Sequence, residues 1–253
     1  MINVTFGAAG ASDFNVSNFV FQALVDANFK VELSADTIRL YSGKSDFVEL
    51  QGSFNADADS DNYADFVNSI TGYRVVDHGK LAYRITDLAM TGEDIASPSA
   101  LRKYFSQNDY TIDGNNAAND LYSSNGADKL SGLDGNDFLY SGKGDDQLLG
   151  GKGNDRFEAG KGADTISDKI GADTLIFHKG DGIDDVSGFN FVGKGHDIID
   201  LSEYFGGDKE LKFRDLDISK QGRSDVMIDF GDDNQIILHG VTTKQLDASD
   251  FHF

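Results

Sequence analysis

The sequence predicts a mainly β protein whose central part is a regular stack of short strands, preceded by a small α+β domain. From residue 126 to residue 173 a Gly-x-Asp triplet returns every nine residues, six times in all. One apolar residue follows each aspartate at a distance of two positions and keeps the same period. Because no nine-residue unit could bury its apolar side chain alone, this register predicts that successive units stack on one another.

Each unit of the stack is expected to be a turn followed by a short strand with one inward-facing side chain. Glycine is needed where the turn takes a positive φ or lets carbonyl groups approach an ion. A flexible Gly/Asp-rich linker would have a similar composition, but it would have no reason to keep an apolar residue in phase. The triplets are Gly126/Asp128, Gly135/Asp137, Gly144/Asp146, Gly153/Asp155, Gly162/Asp164 and Gly171/Asp173, and the apolar residues are Leu130, Leu139, Leu148, Phe157, Ile166 and Leu175.

The aspartates of this stack indicate bound cations. Carboxylates on successive turns would repel one another at the spacing of stacked strands unless a cation lay between them. The candidate ligands are carboxylate and carbonyl oxygens, since the chain has no cysteine and no histidine in register. Hard oxygen ligands of this kind favour Ca²⁺ over zinc or copper, so the sequence predicts several calcium sites.

These residues resemble the RTX nonapeptide, Gly-Gly-x-Gly-x-Asp-x-apolar-x, a calcium-binding repeat. The unit at 150–158, GGKGNDRFE, matches it in full. The unit at 114–122 keeps the phase but has Asn119 at the aspartate position, so we expect a capping turn with weak or no metal binding there. The segment 179–186 matches again through Gly182 and Asp184, and its displacement by two residues predicts a final turn bent out of the regular stack.

The resemblance implies a calcium-loaded parallel β-roll in which two repeats make one right-handed coil. Each ion would lie between loops eighteen residues apart and would take Asp carboxylates and glycine-loop carbonyls as ligands. Roughly four to six calcium ions of this type are expected. One set of aspartates would line each edge of the roll, namely Asp128, Asp146 and Asp164 on the first edge and Asp137, Asp155 and Asp173 on the second.

The composition of the chain agrees with calcium binding. There are 22 basic and 43 acidic residues, so the net charge is −21, which opposes compaction until cations neutralise it. We therefore expect the repeats to fold when calcium binds. Nucleic acid and anionic membranes are poor partners for so acidic a chain. No segment approaches the length of a membrane span.

The two termini suggest export without a cleaved leader. Residues 1–7 lack the basic stretch and the apolar core of a signal peptide. Residues 195–202, GHDIIDLS, resemble the strand that closes RTX rolls, and residues 209–253 are expected to form a C-terminal β cap over the open end. The last residues, Asp250 to Phe253, resemble the C-terminal signal of type I secretion substrates. The resemblance thus implies a secreted, extracellular bacterial protein that leaves the cell through type I secretion machinery.

The predicted domains are a binding domain at 1–108, the RTX roll at 109–200, and the cap with the secretion signal at 201–253. The first resembles small domains that precede RTX rolls. Its helices are expected at 15–28 and after Pro98. Its strands are expected at 30–33, 37–41, 47–54, 67–76 and 81–90.

Three groups of residues in the first domain could bind a ligand. Asp57, Asp59, Asp61 and Asp65 are spaced like the ligands of an EF-hand loop, although a solvated acidic hairpin loop would look similar because Asn68 replaces the bidentate glutamate. Tyr73 and His78 could ligate haem or could be ordinary surface residues. Aromatic residues could stack on sugars or could form the core; these are Tyr41, Phe47, Phe54, Tyr63, Tyr73 and Tyr83.

Catalytic motifs are missing from the sequence. It contains no His-Glu-x-x-His helix, no Gly-x-Ser-x-Gly turn and no thiol. We therefore expect a non-enzymatic module that binds an extracellular glycan or a surface protein. Two alternatives remain open at this level, a small extracellular enzyme acting on polysaccharide and a haem or ligand carrier.

Overall fold

A computed structural model describes five strands between residues 30 and 86 by their backbone, and residues 108–193, 195–204, 212–231 and 234–253 in more detail. The chain forms two compact units, Met1–Gly114 and Asn115–Phe253. Several expectations lie outside the described residues. These are the helices at 15–28 and after Pro98, the acidic loop with Asp57, Asp59, Asp61 and Asp65, the aromatic residue Tyr63, and His78.

The first unit contains an antiparallel sheet in which each strand pairs with its neighbours in the chain. The first three predicted strands are confirmed, the fourth extends one residue further, and the fifth is described at 80–86, whereas its predicted residues 87–90 lie outside the described residues. The strands are β1 (Lys30–Leu33), β2 (Thr37–Tyr41), β3 (Phe47–Phe54), β4 (Val67–Asp77), β5 (Lys80–Thr86) and β6 (Thr111–Asp113).

The second unit begins with nine short strands that alternate between two parallel sheets. They are β7 (Asp120–Tyr122), β8 (Lys129–Asp134), β9 (Phe138–Lys143), β10 (Gln147–Lys152), β11 (Arg156–Lys161), β12 (Thr165–Ser167), β13 (Thr174–Ile176), β14 (Ile183–Ser187) and β15 (Ile198–Asp200). The even-numbered strands β8 to β14 form the first sheet, and the odd-numbered strands β7 to β15 form the second. Two nine-residue units therefore make one coil, and the predicted parallel β-roll is confirmed.

The apolar residue of each repeat is buried between the two sheets. Leu148 lies in register with Leu130 and Ile166 in the first sheet. Phe157 lies in register with Leu139 and Leu175 in the second sheet. These six side chains are at most 1 % exposed. Full burial of such a side chain contributes about 1.5–3 kcal/mol, and only stacked neighbours can provide it here.

The C-terminal segment forms the predicted β cap and continues both sheets of the roll. Strands β16 (Asp217–Gln221), β17 (Asp225–Gly231) and β18 (Asn234–His239) form an antiparallel meander. Strand β18 also pairs in parallel with β14, and β19 (Phe251–His252) pairs in parallel with β15. The only helices in the described part of the chain are two 3₁₀ turns in this segment, and none there is long or apolar enough to cross a membrane.

Candidate metal centres

The turns of the roll bring carbonyl and carboxylate oxygens into narrow spaces that only glycine leaves open. Gly153 has a φ of +128°, and a Cβ added there would clash with the carbonyl oxygen of Gly135 in the preceding coil. At Gly150 an added Cβ would instead clash with Oδ2 of Asp155. These turns therefore require glycine both for their backbone conformation and for the close approach of oxygen atoms.

The glycines of the predicted triplets occupy equivalent places in these turns. Six of them have positive φ, namely Gly126, Gly135, Gly144, Gly153, Gly162 and Gly182. Gly171 does not share this conformation, but a Cβ there would clash with the carbonyl oxygen of Gly153 and with the carboxylate of Asp173. Leu133 occupies a second-glycine position with a φ of +81°. It is the single non-glycine residue with positive φ in the described ranges, and this strains the backbone by about 1–2 kcal/mol.

Four of the predicted aspartates form a first row beside the first sheet. The backbone N–H of Asp128 donates to Oδ1 of Asp146, eighteen residues later, at 2.7 Å. Asp146 donates in the same way to Asp164 at 2.8 Å. Asp164 donates to Asp184 at 3.0 Å, here across 20 residues. Asp184 therefore continues the row, and β14 pairs in register with β12. The prediction that this turn is bent out of the stack is wrong, because the two extra residues are accommodated before Gly182, which pairs with Gly162.

The remaining predicted aspartates form a second row beside the second sheet. The N–H of Asn119 donates to Oδ1 of Asp137 at 2.8 Å, and Asp137 donates to Asp155 at 2.9 Å. Asp155 donates to Asp173 at 2.5 Å. Asp173 then donates to Asp197 at 2.9 Å, across 24 residues. The structure thus places the predicted aspartates in the two predicted sets and adds Asp197 to the second.

The other carboxylate oxygen is the atom available to a metal ion. Oδ2 of Asp137, Asp155, Asp164 and Asp173 is buried and accepts no hydrogen bond. An ionised carboxylate oxygen buried without a donor or a cation is strongly unfavourable. A cation between the coils would remove this penalty. The residues present therefore fit calcium, because they offer hard oxygen atoms from carboxylates beside glycine carbonyls.

Burial shifts these carboxyl groups toward their neutral form. It raises the pKa of Asp137 and Asp164 to about 7 and that of Asp155 to about 6. It raises the pKa of Asp184 to about 8. The backbone N–H that each carboxylate accepts acts in the opposite direction, and neighbouring aspartates raise the pKa further. A bound cation reverses this tendency because it stabilises the ionised form.

Sequence reasoning missed two buried aspartates of the second row. Asp197 belongs to Gly195-x-Asp197 followed by Ile199, which is the repeat triplet with its apolar residue, but the insertion before it breaks the nine-residue period. Asp168 stands at the first-glycine position of its unit, where the consensus contains no carboxylate. Asp197 could have been found by searching the sequence for the Gly-x-Asp triplet without requiring the nine-residue period.

The fold and the two rows define the class of this protein, a parallel β-roll with candidate metal sites between its coils. The family model for the RTX calcium-binding nonapeptide repeat matches residues 113–148 and 149–184. The repeats that build the rows are thus RTX calcium-binding repeats, as the sequence predicted, and the chain contains a calcium-binding β-roll.

Comparison with curated proteins found no match. Among solved structures, the chain is similar to the extracellular lipase LipA from Serratia marcescens, with 16 % sequence identity and a TM-score of 0.31. The match covers 89 % of this chain and 30 % of the lipase chain. The chain therefore spans less than a third of the length of that protein.

Proposed function

We propose that this chain is a secreted calcium-binding protein whose roll folds on Ca²⁺ after export, and whose residues 1–108 form an extracellular binding or adhesion module. The observation that carries the calcium part is the pair of aspartate rows. Each row joins successive coils through Oδ1, while buried Oδ2 atoms such as that of Asp155 have no hydrogen-bond donor. Calcium would satisfy these atoms in every coil at once.

Calcium binding and folding are coupled in this proposal. Without metal, the folded roll would enclose rows of carboxylates in a chain of net charge −21. The two coils that form each site come together only in the folded state, so the binding free energy contributes directly to folding. The chain would therefore remain extended where calcium is scarce and fold where calcium is abundant.

The export part of the proposal follows from this coupling. An extended chain can pass through a narrow channel, whereas a folded roll cannot. The low calcium concentration inside a bacterial cell would keep the repeats extended until they reach the type I secretion machinery. The higher calcium concentration outside would then fold them, which would also prevent return.

The binding module would use the antiparallel sheet of the first unit. Aromatic residues, a residue type on which sugars stack, occur in four of its strands; they are Tyr41 in β2, Phe47 and Phe54 in β3, Tyr73 in β4 and Tyr83 in β5. A panel of polysaccharides and surface proteins, assayed for both binding and cleavage, tests this part. We expect binding without cleavage, and cleavage of a polysaccharide would make this unit an enzyme instead.

Circular dichroism of the full chain tests the calcium part. In a chelator we expect the spectrum of a largely extended second unit, and a β spectrum should appear on addition of Ca²⁺. An equal concentration of Mg²⁺ should have little effect, because Mg²⁺ requires a tighter octahedral shell and releases its water reluctantly. Identical spectra with chelator and with Ca²⁺ would contradict the proposal.

A further inference from the structure

The last coil of the second row contains three buried aspartates, and one of them is foreign to the repeat. Asp168, Asp173 and Asp197 bring one carboxylate oxygen each within 4.8 Å of the others. Their exposures are 3 %, 1 % and 0 %. Within the described ranges, no other three acidic or histidine side chains bring ligand atoms so close together.

Asp168 lies at a position whose side chain is directed at the row. The equivalent residues of the two preceding coils are Gly132 and Gly150, since positions 132, 150 and 168 are separated by eighteen residues. A Cβ added to Gly132 would clash with Oδ2 of Asp137, and one added to Gly150 would clash with Oδ2 of Asp155. At Gly150 the added Cβ would also lie 2.5 Å from the ring of Phe157. In the coil of Asp168 that buried position holds the smaller Leu175.

The oxygens of this cluster are unevenly satisfied. Asp197 accepts two backbone hydrogen bonds, from the N–H of Asp173 at 2.9 Å and from that of Asn190 at 2.5 Å. Oδ2 of Asp173 and both oxygens of Asp168 are buried and accept none. Asp168 is thus a fully buried carboxylate without any hydrogen-bond donor, aimed into a space that two other carboxylates already share. A cation would stabilise the three groups in their ionised form; without one, burial and the neighbouring carboxyl groups raise the pKa of Asp168 to about 10, so that it holds a proton.

The dimensions of the cluster suit calcium. Calcium binds oxygen at about 2.3–2.6 Å, so two ligands on opposite sides of one ion lie about 4.6–5.2 Å apart. Three oxygens that are all within 4.8 Å of one another can therefore share one calcium shell. Calcium affinity rises with the number of charged ligands, and the third carboxylate distinguishes this cluster from the pairs elsewhere in the rows.

We propose that Asp168, Asp173 and Asp197 bind one Ca²⁺ at the C-terminal end of the second row, and that this is the tightest calcium site of the roll and the first to fill. This inference rests on the proposed calcium-dependent folding. Asp197 immediately precedes β15, which pairs with β19. Filling this site first would join the end of the repeats to the closing strands before the other coils take up calcium.

Two substitutions of Asp168 test the site in the full chain. Asp168→Gly restores the consensus residue, and Asp168→Asn keeps the size of the side chain while removing its charge. Calcium binding is measured by competition with a chelator of known affinity and by titration calorimetry, and the exposed Asp217→Asn in β16 serves as the control. In the wild type and the control, we expect one ion to bind at least about tenfold more tightly than the others.

Both Asp168 variants should lose this tightest class and keep the weaker ones, with their β spectrum restored at saturating Ca²⁺. An unchanged tightest class in Asp168→Gly would overturn the proposal. If Asp168→Gly failed to fold even at saturating Ca²⁺, then Asp168→Asn would decide, and wild-type affinity in that variant would overturn the proposal as well. A wild-type chain that bound no calcium would refute the proposed function itself, which is a different result.

Discussion

A repeat aspartate performs two separate tasks with its two carboxylate oxygens. In Asp155, Oδ1 accepts the backbone N–H of Asp137 at 2.9 Å and so joins two coils. Oδ2 of the same side chain is buried without a donor and faces the glycine turn. The first oxygen needs only a carbonyl-like acceptor, whereas the second needs a negative charge beside a cation. These tasks can therefore be separated by substitution.

Two variants of Asp155 should separate the metal ligand from the hydrogen-bond acceptor. Asp155→Asn keeps an acceptor for the N–H of Asp137 but loses the charged ligand, so we expect the calcium concentration at half folding to rise about tenfold. Asp155→Ala also leaves a buried N–H without a partner, which costs about 1–3 kcal/mol more. Circular dichroism during calcium titration measures both effects, with Asp217→Asn as the control. Equal midpoints for the two Asp155 variants would show that the hydrogen bond contributes nothing.

The structural element of the roll is the coil of eighteen residues, not the repeat of nine. One nine-residue unit moves the chain from the first sheet to the second, as from β8 to β9, and the next unit returns it. The closing strands are specific to their sheets, because β18 pairs with β14 and β19 pairs with β15. The length of the roll can therefore change only in whole coils.

Deletions of different length test this unit. Removing 138–155 takes out one whole coil and leaves every later strand on its own sheet. We expect that chain to fold with calcium and to bind fewer ions. Removing 138–146 moves every later strand to the opposite sheet, so β18 and β19 would meet the wrong partners. We expect it to require a higher calcium concentration and to unfold at a lower temperature. Similar thermal transitions in both deletions would contradict the argument.

The regular part of the roll could be predicted from the sequence because its contacts repeat with the chain. The six stacked apolar residues from Leu130 to Leu175 follow from one rule, and so do the two sets of aspartates. Asp197 escaped the rule because 24 residues rather than 18 separate it from its partner. Asp168 escaped it because it stands at a first-glycine position, where the consensus contains no carboxylate. The repeat period therefore predicts neither the insertions in the chain nor the departures of single residues from the consensus.

At the scale of the whole molecule, charge determines how the roll depends on pH. Burial raises the pKa of Asp164 to about 7 and that of Asp184 to about 8, from an ordinary value of 3.8. Between the ordinary pKa of the unfolded chain and these raised pKa values, the calcium-free fold binds more protons than the unfolded chain. The fold is therefore stabilised as the pH falls through this window and destabilised as the pH rises through the folded-state pKa values.

This linkage predicts opposite behaviour with and without calcium. In a chelator, we expect the β signal of the full chain to increase as the pH falls from about 8 to about 5. With saturating Ca²⁺ the carboxylates are held ionised, so the same signal should change little between pH 8 and pH 6. Circular dichroism at a series of pH values measures both. A β signal that decreased on acidification in the chelator would contradict the raised pKa values.

The hydrogen bonds of the two rows all run in one direction, and this gives the roll a polarity. In every pair the donor is the earlier residue and the acceptor the later one, from Asp128 to Asp184 in the first row and from Asn119 to Asp197 in the second. The row N–H group of each coil thus donates to a carboxylate oxygen of the coil that follows it. Loss of coils from the C-terminal side leaves these row N–H groups without their carboxylates, whereas loss from the N-terminal side leaves row carboxylate oxygens, which water can satisfy. The row hydrogen bonds therefore make the C-terminal coil more costly to lose than the N-terminal one, although backbone N–H groups such as that of Gln147 also donate to the preceding coil.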